Sequence, residues 1–129
     1  MKQKKLTKIE KQLRSNKRMM VATIMVMLMI FGLLLTDYGA NLNLRALVKN
    51  GGRMPVQTGF TYESDTHFGF THPSEVHVYE LTDIYHINGT YYSIGDFLIN
   101  GGFYIIFITN IIFMLTLLGW GVVAWRERR

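Results

Sequence analysis

Two stretches of this 129-residue chain carry no charge: Met19 to Leu35, 17 residues, and Phe103 to Trp125, 23 residues in which Asn110 is the one strongly polar side chain. An α-helix rises about 1.5 Å per residue and the hydrocarbon layer of a bilayer is about 30 Å thick. The second stretch therefore crosses with some tilt, and the first crosses once Thr36 and snorkelling flanks are counted. A buried core helix of a soluble protein is the poorer reading. The rest of the chain has too little apolar mass to enclose a 23-residue helix that is hydrophobic on every face. A hydrophobic content of 49% with a mean hydropathy of +0.14, beside only 18% charge, agrees. The expected fold class is an α-helical integral membrane protein with two transmembrane helices, 19–36 and 101–125. A small extracytoplasmic segment, 37–100, with a short β-hairpin near 84–93 joins them.

Charge assigns the orientation. Residues 1–18 hold eight basic side chains (Lys2, Lys4, Lys5, Lys8, Lys11, Arg14, Lys17, Arg18) against Glu10, a net +7. The tail 126–129 adds +2, whereas 37–100 carries −4. Under the positive-inside rule both termini are cytoplasmic and the connection lies outside, so the protein is expected in the cell membrane as a multi-pass chain. The pI of 9.6 is then a topology signal. No nucleic-acid partner is expected, because no aromatic residue interleaves the basic head. Thr7-Lys8-Ile9-Glu10 has the form of a capping box, and Leu6, Ile9 and Leu13 share a helical face. Residues 1–18 therefore read as an amphipathic segment on the anionic lipids of the inner leaflet. A basic head before an apolar run also fits a secretory leader, which leaves open a secreted protein with a cleaved leader and a C-terminal anchor. The best cleavage site, after Tyr38-Gly39-Ala40, puts a bulky Tyr where a small residue is wanted, which favours a retained helix.

The outer segment holds ten of the seventeen aromatic residues but no Cys. A segment this small seldom supports a core alone, so docking on the membrane helices, a metal or another chain must hold it. Residues 41–49 read as a short interfacial helix or a continuation of the first span, stopped by Asn50-Gly51-Gly52. Phe60/Tyr62 and Phe68/Phe70 alternate with polar neighbours as short strands do, and His72-Pro73 ends that pattern. Asn88-Gly89 between two short β-prone runs predicts a tight hairpin with Tyr85 opposite Tyr92 and His86 opposite Tyr91. Ser93 and Asp96 form a helix entrance, so the second helix is expected to start near Ile94, with a bend at Gly101-Gly102.

Three blocks carry a family resemblance. Asn50-Gly51-Gly52-Arg53-Met54-Pro55-Val56, then Leu81-Thr82-Asp83-Ile84, then Ser93-Ile94-Gly95-Asp96-Phe97-Leu98-Ile99-Asn100-Gly101 resemble a bacterial membrane-protein family catalogued as domain of unknown function 5317. The likeness covers roughly Gly32 to Phe107. It departs from the family at Thr82, where a glycine is expected, in the Asn88-Gly89 hairpin that replaces a Pro-rich stretch, and in having only two spans. It implies an integral membrane protein and no particular chemistry.

Candidate chemistry is sparse. His67, His72, His77 and His86 lie among Asp65, Glu75, Glu80 and Asp83, and His67, His72 and His77 are the candidates for a metal. No H-e-x-x-h pattern, however, brings two ligands onto one helical face. Ser64, Ser74 and Ser93 lack a nucleophile elbow, and no glycine-rich phosphate loop precedes a helix. No cofactor is expected. Gly51, Gly52 and Arg53 could hold an anion or lipid headgroup, although a helix stop explains them as well. Within the second span, Asn110 needs a hydrogen-bond partner, and Gly119 and Gly121 offer a small-residue surface for helix packing. The absence of ionisable residues inside either span argues against ion conduction. The expectation is a non-catalytic binding or accessory component with a protein partner or homo-oligomer. The alternative is a membrane-tethered metal-dependent enzyme using the outer histidines.

Overall fold

The computed structural model describes residues 7–128. Lys2, Lys4, Lys5 and Leu6 of the expected amphipathic head, and Arg129 of the tail, lie outside the described residues. Helix α1 is Lys8–Lys49. Strands β1 (Met54–Gln57) and β2 (His67–Phe70) follow, then two single 3₁₀ turns, strands β3 (Tyr85–Ile87) and β4 (Thr90–Tyr92), and helix α2, Ile94–Arg128. Both helices are long and apolar enough to cross a membrane. The described residues divide into two compact units: a helical one, 7–31 with 105–128, and a mixed one, Gly32–Tyr104.

The start of α1 follows from its capping box. The Thr7 hydroxyl accepts from Glu10 N, and the Glu10 carboxylate accepts from Thr7 N at 2.7 Å. The helix then runs unbroken for 42 residues, about 63 Å. The basic head from Lys8, the apolar run and residues 41–49 are thus one helix, so that 41–49 is the continuation of the first apolar run and not a separate short helix. Within it the Asn41 side-chain amide donates to Asp37 O, one turn back. The true stop is at Gly51 and Gly52, both with positive φ, where Gly52 N donates to Leu47 O across the closing turn. Helix α2 likewise continues through Gly101-Gly102, for 35 residues in all.

In the helical unit, the less exposed positions recur every three or four residues: Arg14, Arg18, Val21, Met25 and Met29 on α1, and Thr109, Phe113, Thr116, Trp120 and Ala124 on α2. This spacing is that of two helices packed along a narrow seam. Everything outside the seam stays open, and only 11% and 6% of the most apolar window of each helix is buried. Met27, Leu115 and Leu118 are each more than half exposed. The core helix of a soluble protein is mostly buried, and these two are not.

In the mixed unit small residues line the contact of the helices: Gly32 and Thr36 face Gly102, and Gly39 and Asn43 face Gly95. A methyl group added at Gly39 would stand 2.6 Å from Gly95 O and 2.9 Å from Ile99 N. One added at Gly102 would stand 2.5 Å from Gly32 O. Backbone meets backbone here, which only glycine permits.

The remainder of the mixed unit is built around β1. It pairs in parallel with β2, Met54 opposite His67 through Gln57 opposite Phe70. On its other side Val56 bridges to Asp83, with Asp83 N donating to Pro55 O and Gln57 N to Asp83 O. The residues before β2 return beside it, with Gly69 N donating to Tyr62 O. Phe60 and Tyr62 are therefore not a regular strand as the alternation suggested, since Gly59 turns the chain at positive φ and leaves Phe60 exposed. Met54, Pro55, Val56, Phe70, Thr82 and Ala46 are buried. This is a small core, and α1 supplies part of it. The hairpin has the expected register, Tyr85 opposite Tyr92 and His86 opposite Tyr91, with Asn88 and Gly89 both at positive φ.

Candidate functional site

The helix entrance forms first. Ser93 N donates to Asp96 Oδ2 at 2.8 Å and Asp96 N donates to Ser93 Oγ at 3.0 Å, a reciprocal cap of α2. Asn43 on α1 reaches into it, its amide donating to Asp96 Oδ1 at 2.8 Å while its carbonyl lies 2.7 Å from Ser93 Oγ. Ser93 is fully buried and its hydroxyl is engaged on every side, so it is a structural residue and not a nucleophile.

Beside this clamp lies a cleft of about 380 Å3 lined by Asn43, Leu47, Gly52, Met54, Thr66, His67, Asp83 and Asp96. It draws on all three sequence blocks: Gly52 and Met54 from the first, Asp83 from the second, Asp96 from the third. The chain brings them together because β1 holds Asp83 by two backbone hydrogen bonds while α1 holds Asp96 through Asn43.

Asp83 is the buried charged side chain of this lining. Its side chain is 9% exposed, and Oδ1 is buried without a hydrogen-bond partner among the described residues. Burial, reinforced by the negative charge of Asp96, pushes its pKa up to about 7. The His67 ring lies with Nε2 3.8 Å from Asp83 Oδ2, and its Nδ1 is 2.8 Å from Thr66 Oγ1. A carboxyl group that changes charge near neutral pH and has an idle buried oxygen can accept a hydrogen bond or take up a proton.

The other sequence candidates have structural partners. His72 precedes a 3₁₀ turn, where its backbone N–H donates to Glu75. His77 is bound through its backbone to the Asn50 side chain. Among the described residues no three His, Cys, Asp or Glu side chains gather as metal ligands. Arg53 pairs with Glu63 at 3.4 Å and lies over the Phe68 ring at 5.3 Å, while Gly52 N is spent on Leu47 O. Gly51 and Gly52 thus close α1.

Asn110 is exposed and donates to Ile106 O of its own helix, and Thr109 takes the packed position. Neither Gly119 nor Gly121 would meet anything within 4 Å if given a side chain, so within this chain the packing glycines are Gly39, Gly95 and Gly102. At about 100° per residue, Gly121 shares the exposed face of Asn110, and Gly119 lies on the opposite one.

Sequence reasoning missed Asn43 and the pairing of His67 with Asp83. Asn43 sits among alternating Asn and Leu residues with no motif around it, and the His67–Asp83 contact spans sixteen residues and depends on β1. The chain gives no match to a family model, to a curated protein or to a solved structure.

Proposed function

We propose that this is a two-span membrane protein with both termini cytoplasmic, acting by binding and not by catalysis. Residues 37–100 are outside in this reading, and a hydrogen-bond-donating group of a partner is received beside Asp83. The observation that carries the membrane assignment is the exposed apolar surface of both helices, which only lipid or other apolar helices can cover. The binding reading is supported by the cleft itself, which is in the size range of ligand sites and holds an unpartnered buried carboxyl oxygen. A retained first helix is supported too. Cleavage after Ala40 would sever α1 in mid-helix, next to the packed Gly39. The likeness to the family of unknown function adds only class; its three blocks supply Gly52, Met54, Asp83 and Asp96 of the cleft lining.

Asn110 extends the proposal to assembly. On an exposed face in hydrocarbon, an amide with a single helix-internal bond favours a second helix, and such contacts contribute about 0.6 to 2 kcal/mol. Asn110→Leu is therefore expected to reduce the oligomeric or partner-bound fraction of detergent-purified protein in light scattering, and unchanged assembly removes Asn110 from the account. Metal analysis of the same preparation tests the binding reading. No stoichiometric zinc is expected, and zinc lost on replacing His67 and His77 with Ala would contradict it.

A further inference from the structure

The helical unit contains a second cleft, of about 370 Å3, lined by Arg14, Lys17, Arg18, Val21, Trp120 and Val123. Its wall is cationic and its floor is apolar. Arg14 is paired with Glu127. Arg18 lies over the Trp120 ring, 5.7 Å from guanidinium carbon to centroid. Lys17 has no ion pair among the described residues. Among the described residues Lys17 and Arg18 therefore have no carboxylate partner, and they share the lining with Val21, Trp120 and Val123, at the end of the apolar run of α2. A ligand that matches must be anionic at one end and hydrocarbon at the other.

We propose that this cleft is a discrete site for one anionic phospholipid. The phosphate lies against Lys17 and Arg18, and an acyl chain lies along Val21, Trp120 and Val123. The inference rests on the membrane reading and makes it more specific. A basic surface attracts an anionic leaflet diffusely, whereas a basic groove between two helices with an apolar floor holds one lipid. The Trp120 indole, apolar in body and polar at one tip, suits the headgroup boundary where the phosphate must sit.

Trp120 reports occupancy directly. The full-length protein carrying Trp125→Phe is reconstituted in vesicles of equal parts phosphatidylglycerol and phosphatidylcholine, with chains brominated near the headgroup on one lipid or the other. The expected result is Trp120 quenching at least about twofold deeper when phosphatidylglycerol carries the bromine, because each basic contact favours the anionic lipid several-fold. Lys17→Gln with Arg18→Gln should abolish the difference, with far-UV circular dichroism checking that the helices persist. Arg126→Gln, outside this cleft, should leave it intact. Equal quenching by either lipid overturns the site while leaving the membrane reading standing. A preference lowered as much by Arg126→Gln as by the Lys17/Arg18 pair shows diffuse attraction and also overturns it. No quenching by either lipid overturns both.

Discussion

Gly39→Ala should cost about 2 to 3 kcal/mol of stability, whereas Gly119→Ala on the partner helix should be neutral or slightly stabilising. The contrast is steep because the two glycines differ only in what surrounds them. A methyl group at position 39 would sit 2.6 Å from Gly95 O and 2.9 Å from both Ile99 N and Leu98 Cβ, and backbone atoms cannot swing aside as a side-chain tip can. The helices must separate. That movement weakens the bonds which Asn43 makes to Asp96 and Ser93, so the cap of α2 loosens as well. At position 119 nothing lies within 4 Å, and replacing glycine in a helix interior recovers backbone entropy, about 0.5 to 1 kcal/mol. Thermal unfolding in detergent, followed by circular dichroism, compares the two directly. Equal effects would mean that the small-residue seam does not hold the helices together.

The second large effect is the pH dependence conferred by Asp83. In the unfolded chain this carboxyl titrates near its ordinary value of 3.8, and in the fold it titrates near 7. Between those limits the folded protein binds a proton that the unfolded chain has released, so stability falls as pH rises through the interval. The effect is complete above neutrality and absent below about pH 4. A displacement of this size corresponds to about 4 kcal/mol if fully expressed. The ring of His67, 3.8 Å away, offsets part of the penalty wherever it is protonated, and Asp96 adds to it. Asp83→Asn keeps the shape and removes the charge, so its unfolding midpoint should be nearly flat from pH 4 to 7 where the parent declines. Carbon NMR of the Asp83 carboxyl supplies the independent check. An ordinary titration midpoint there would show that the group is more hydrated than its position indicates.

How much of this was legible in the sequence depends on how local each signal is. The Asn88-Gly89 turn, its register and the Ser93/Asp96 cap are written in four or five consecutive residues, and the structure matches them. The two apolar helices were equally plain, because their composition alone marks them. The extent of α1 stayed open between a separate short helix and a continuation, since charge at Asp37 and glycine at 39 resemble an end, whereas Gly39 packs against α2. Strand β1 was hidden for a different reason. Pro55 argues against a central strand, and it is accommodated here because its carbonyl, and not its missing N–H, makes the bond to Asp83. With β1 unseen, nothing could place Asp83 beside His67 and Asp96, so the cleft was beyond reach while its three contributing blocks were noticed only as strings. The histidines show the converse. Their even spacing suggested ligands, but His67, His72 and His77 fall in a strand, before a 3₁₀ turn and against Asn50.

The central claim is the topology, and the absence of cysteine makes it directly testable. Single-cysteine variants Gln12→Cys and Ser74→Cys, both at exposed positions, are expressed in intact cells and treated with a membrane-impermeant maleimide before and after permeabilisation. The account predicts a membrane-bound protein in which Ser74→Cys is labelled from outside at once and Gln12→Cys only after permeabilisation. Labelling of both in intact cells, protection of Ser74→Cys, or recovery of the protein in the soluble fraction would contradict it.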